Sequence, residues 1–131
     1  MTSYHVRWLV TDKVILVELS GVINLTVALA VTGELVALFD ASASANVHVI
    51  VNVQQAVSMP RLSEIRRLQS TLRHPKVDWI VLVGEDINVL VKLTTSVALQ
   101  IARIKFRRVN SLEQAINILK QIDPTIVWTS N

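Results

Sequence analysis

The chain has 131 residues, enough for one buried core and too few for two ordinary ones. Its 13 basic and 10 acidic residues leave a net charge of +3, and 51% of residues are hydrophobic against 18% charged. With no cysteine, a disulfide scaffold, a thiolate nucleophile and cysteine-ligated zinc or iron–sulfur sites are excluded. The mild charge argues against electrostatic binding of nucleic acid. The start, Met1 to Arg7, lacks a basic segment followed by an apolar stretch, so a cytoplasmic protein without a secretion signal is expected. The longest apolar run, Val27 to Phe39, is interrupted by Thr32, Gly33 and Glu34, and no transmembrane segment is expected where a span needs about 20 apolar residues.

Tyr4, Val6, Trp8 and Val10 alternate with His5 and Arg7, the pattern of a half-buried strand. A turn at Asp12-Lys13 leads to a second strand over Val14 to Leu19, closed by Gly21. From Asn24, placed as N-cap, to about Ser42 the period changes to that of a helix, with Leu25, Leu29, Thr32, Val36 and Phe39 on one stripe. Val47 to Val53 is β-branched and reads as a strand buried on both faces of a parallel sheet. Gln54 to Met59 then forms a loop into a helix starting near Pro60, whose apolar stripe is Leu62, Ile65, Leu68 and Leu72 and which ends at His74-Pro75.

Val77 to Val83 is the next buried strand, and a helix capped by Asp86 is expected to run to about Ala102. Ile104 to Val109 reads as a short basic edge strand, and Ser111 to Ile122 as a final helix opened by the capping-box spacing Ser111-Leu-Glu-Gln114. The expected fold is therefore α/β, in the order β-β-α-β-α-β-α-β-α, with a mostly parallel open sheet and an antiparallel first strand. One domain is expected over 1–131, with its core at about 4–122. The tail 123–131 has Ile126, Val127 and Trp128 available to dock.

This order, together with Phe106-Arg-Arg-Val-Asn-Ser-Leu-Glu-Gln-Ala-Ile-Asn-Ile-Leu119, resembles the STAS (SpoIIAA-like) family of anti-sigma-factor antagonists and anion-transporter domains. The resemblance implies a non-enzymatic regulatory module. In phosphorylatable members an Asp-Ser pair follows the third strand. Here the place holds Val53-Gln-Gln-Ala-Val-Ser58, so Ser58 is the matching hydroxyl, without the Asp and with Met59-Pro60 where a Gly usually follows. That departure fits a divergent branch, such as SpoIIAA-like proteins linked to lipid or small-molecule binding, at least as well.

Ser58, near a helix N-terminus, is either a phospho-acceptor favoured there or a loop or capping serine. His5, His48 and His74 lack metal-ligand spacing, so no metal is expected. Only Gly21, Gly33 and Gly84 are present, which leaves neither a Gly-x-Ser-x-Gly elbow nor a glycine-rich phosphate loop, and neither an enzyme nor a cofactor is expected. Glu85-Asp86 follows a parallel strand, where open sheets bind ligands or where a helix needs a cap. Arg103, Lys105, Arg107 and Arg108 either guard an edge strand or meet an acidic partner or phosphate. Two helices carry more apolar surface than one sheet face covers. Val27, Val31, Leu35, Leu38, Val91 and Ile101 accordingly either fill the core or are candidates for a homodimer face, a regulatory partner's surface or a pocket for an apolar ligand or lipid.

Overall fold

The computed structural model describes residues 2–60, 62–65, 74–84 and 105–128. β1 (Ser3–Val10) and β2 (Val14–Val22) form an antiparallel hairpin. Its turn places Asp12 at φ 68, a left-handed conformation that aspartate tolerates better than most residues. Asp12 also fastens the hairpin to the end of the following helix, its carboxylate accepting from Ala43 N (3.2 Å) and its carbonyl from Ser42 Oγ (2.9 Å).

α1 (Leu25–Ala41) starts at Asn24, whose side chain accepts from Val27 N at 2.9 Å. Its buried stripe is Ala28, Val31, Leu35 and Phe39, packed with Ile15, Val17, Val49 and Ile80 of the sheet. The stripe is turned from the expected one: Leu29 is 45% exposed, and Val31 and Leu35, candidates for an uncovered face, lie in the core. A helix apolar almost all round carries little directional information, and the small Ala28 joins Val31, Leu35 and Phe39 on the face towards the sheet. Truncating Phe39 to Ala would cost about 3 to 5 kcal/mol.

The remaining elements are β3 (Val47–Ser58), α2 (Leu62–Ile65), β4 (Val77–Val83), β5 (Lys105–Val109) and α3 (Leu112–Ile122). The sheet order is β1-β2-β3-β4-β5, with β1 antiparallel and the others parallel. This mixed sheet matches the order read from the sequence. The order never reverses, so no switch-point crevice arises between neighbouring strands. β3 is longer than expected. Gln54 to Ser58, polar enough to read as a loop, pair with Ser20 to Val22 and continue the strand.

Each sheet face has its own core. α1 covers one. On the other, Ala115 and Leu119 of α3 pack with Val14, Leu16, Ile50, Val81, Val83 and Val109. The α3 cap is a reciprocal box: Ser111 Oγ accepts from Gln114 N (3.2 Å), and Gln114 Oε1 accepts from Asn110 N (2.8 Å). After α3, Ile126 is buried and Trp128 packs on the same core, whereas Val127 is 77% exposed. Val91, Ile101, Glu85, Asp86, Arg103 and the helix expected from Asp86 to Ala102 lie outside the described residues.

Candidate functional site

β4 pairs with β3 only as far as Asn52, opposite Val83. Among the described residues the last part of β3 is therefore paired with β2 alone, and the two strands form a projecting tip. Gly21, at φ 79, supplies the left-handed residue where the register shifts near its end. Ile23 N closes the tip by donating to Ser58 O at 2.9 Å.

The tip is apolar on both sides. On the α1 side, Leu19, Ile23, Ala28, Val31, Thr32 and Met59 line a cleft of about 110 Å³. The Thr32 hydroxyl donates to Leu29 O at 3.0 Å, so the one polar group in the lining is engaged within its own helix. Val22 (52% exposed) and Val57 (58%) belong to the other face by strand alternation, each next to a residue buried on the α1 side. Leu29, on the outer face of α1, adds a further exposed apolar side chain beside Ala28.

Ser58 is half-buried and is the last residue of β3, with Leu62 the first residue of α2. Ser58 thus ends a strand beside the cleft, shortly before α2 begins. Of the apolar candidates, Val31 lines the cleft, Leu35 is core, and Val27 and Leu38 are half-buried against the same cluster. Val22, Val57 and Met59 are not among the candidates drawn from the sequence. The signal was present in valines at both strand ends flanking Gly21 and the Gln54-Gln55 pair.

The opposite end of the sheet is polar and closed. His48 sits at the start of β3 with none of its surface exposed. Between Val47 and Val49 of β3 the facing strand runs from Val77 to Ile80, one residue more, so β4 bulges. The Trp79 N–H at this bulge donates to His48 Nδ1 at 3.3 Å. Nδ1 is then an acceptor, and Nε2 carries the proton it donates to Asp123 Oδ2 at 2.9 Å. Asp78 lies 4.0 Å from Nδ1 and pairs with Lys105 at 2.6 Å.

Burial alone would raise the Asp123 carboxyl. The hydrogen bonds from Thr125 and His48 outweigh it and hold the group at about 2, below its ordinary 3.8. His74 is similarly engaged, with Nδ1 accepting from Lys76 N (3.2 Å) and Nε2 donating to Asp40 (2.9 Å). His48 and His74 are thus structural in their contacts, while His5 is exposed on β1. Among the described residues no group of three His, Cys, Asp or Glu is placed to hold a metal, and no described helix is long and apolar enough to cross a membrane.

No family model and no curated protein matches the chain. Its fold is similar to two solved structures. One is an uncharacterised protein of the DUF3478 family with a SpoIIAA-like fold from Shewanella loihica PV-4. The TM-score is 0.66 at 13% identity, covering 91% of this chain and 95% of that one. The other is the Bacillus cell fate determinant SpoIIAA in its phosphorylated form, with a TM-score of 0.55 at 12% identity, covering 89% of this chain and 99% of that one. The resemblance carried by the order of elements and the capped last helix therefore holds at the level of the fold: this chain has a SpoIIAA-like, STAS-type architecture.

Proposed function

We propose that the chain is a non-enzymatic regulatory module that docks a protein partner through the β2–β3 tip. The observation that supports this most is the exposure of apolar side chains at the tip, Val22 and Val57 on one face and Leu29 on the α1 side, where the apolar cleft opens. Exposed apolar surface of this kind suits an interface core, into which a partner inserts one or two side chains. A cytoplasmic setting belongs to the same reading and is supported by the cysteine-free composition.

Carriage of a small apolar ligand or lipid is the second reading, favoured by the apolar lining. The cleft formed by the described residues has about 110 Å³, against roughly 300 to 1,000 Å³ for sites that enclose a small molecule. Size thus favours a partner's side chain. Ser58 is proposed as the regulatory position, by analogy with the phosphorylated Bacillus protein and because it adjoins the cleft. A phosphate there adds about −1.5 to −2 charges at the mouth of an apolar surface and opposes docking.

Native mass spectrometry of the purified chain separates these readings. A co-purified apolar ligand supports carriage, and a dimer abolished by Val57→Asp makes the partner a second copy. A strictly monomeric, ligand-free protein that also fails to bind a hydrophobic probe overturns the docking surface. Intact mass of protein from its native cells at rest and under stress tests Ser58, and an unmodified chain in both states removes the phosphate switch.

A further inference from the structure

β5 is an edge strand, and among the described residues no strand lies on its outer side. The Val109 carbonyl accepts from Gly84 N at 3.0 Å, so it points towards β4. Backbone groups alternate along a strand, and the N–H and C=O of Phe106 and Arg108 therefore point away from β4, with no strand partner among the described residues. Lys105, Arg107 and Arg108 are exposed on this strand. Lys105 Nζ and the Arg107 guanidinium both gather over the Trp79 ring, at 5.5 and 5.1 Å from its centre. One carboxylate, Asp78, answers Lys105, whereas Arg107 and Arg108 have no carboxylate partner among the described residues.

From this juxtaposition we infer that the outer edge of β5 receives an extended acidic peptide segment of a partner protein. The segment adds a sixth strand, its backbone bonding to Phe106 and Arg108 and its acidic side chains meeting Lys105 and Arg107 on one face and Arg108 on the other. Main-chain pairing supplies affinity, and alternating side chains supply specificity. Edge arginines also discourage indiscriminate strand pairing, and the same charges select an acidic strand over others. Five residues span about 17 Å, the reach of a short peptide rather than of a nucleic-acid helix or a membrane surface.

The test is fluorescence anisotropy of the full chain with a labelled octapeptide of alternating Glu and Thr. Comparison peptides replace Glu by Gln, or place proline where the peptide N–H would pair with the edge. The Glu peptide is expected to bind saturably and to weaken with salt. R107E/R108E is expected to weaken it by about tenfold, as are the Gln and proline replacements. The neutral variant R107Q/R108Q, which keeps Lys105–Asp78, is expected to lose about threefold, and a thermal melt by circular dichroism checks that both variants fold. The proposal is overturned if the Glu peptide does not saturate, if the Gln or proline peptide binds equally, or if folded R107E/R108E binds as the parent does. Tighter binding of an oligonucleotide or of phosphatidylglycerol vesicles than of the peptide also overturns it.

Discussion

At its amino end β3 closes over a buried histidine, whereas at its carboxyl end it runs with β2 beyond the other strands and leaves valines in water. Every nitrogen of the buried His48 ring has a partner, and those partners come from β4 and from the residue that ends α3. Among the described residues the tip has no comparable side-chain network: Thr2 Oγ1 donates to Val22 O at 3.0 Å, and the Val22 and Val57 side chains belong to neither core. His48 at the closed end is thus needed for stability, while the exposed Val22 and Val57 side chains at the tip contribute little to either core.

His48→Ala breaks the closed end most severely. It strips a partner from the partly buried Asp123 and leaves the Trp79 N–H unpaired, and a loss of about 3 kcal/mol is expected in urea unfolding. A loss below about 1 kcal/mol would show that the two ends do not differ as described.

A smaller effect comes from acid. The folded Asp123 lies at about 2, below its ordinary 3.8, so its carboxylate contributes fully above about pH 4 and loses that contribution as the pH falls through 2. With solvent screening of this surface-near carboxylate, the difference is on the order of 1 kcal/mol. Unfolding free energies measured between pH 5 and pH 2 should fall less steeply in Asp123→Asn, and identical slopes would contradict the assignment.

Gly33→Ala sharpens the comparison from α1, because an added Cβ there meets nothing within 4 Å. An exposed helical glycine becomes alanine, and a gain of about 0.5 to 1 kcal/mol is expected by thermal denaturation. No gain would mean that α1 is less regular at this point than its hydrogen bonding indicates. The smallest change in stability is expected for Val57→Asp, within about 0.5 kcal/mol, together with loss of docking. A drop as large as that of His48→Ala would make the tip structural.

Much of the architecture was legible because local chemistry and fold agree. Asn24 and Ser111 cap helices that begin where their side chains indicate, and Val77 to Val83 forms the expected strand. The candidate site was less legible, for physical reasons. The direction of α1 depended on which of two apolar faces met the sheet, and no period in the sequence distinguishes them. β3 continues through Gln54 and Gln55 because β2 is there to pair with, a long-range fact hidden behind polar residues. His48 and Asp123 are 75 residues apart, and only the packing of α3 brings them together.

The central claim is that the tip is where a partner protein docks. A photo-crosslinking amino acid at Val57, at Leu29 or, as control, at Glu113 on the exposed face of α3 tests it most directly in cells that make the protein. The same protein adduct is expected from Val57 and Leu29 and absent from Glu113, identified by mass spectrometry. Tip positions that give no adduct beyond those of Glu113 would contradict it.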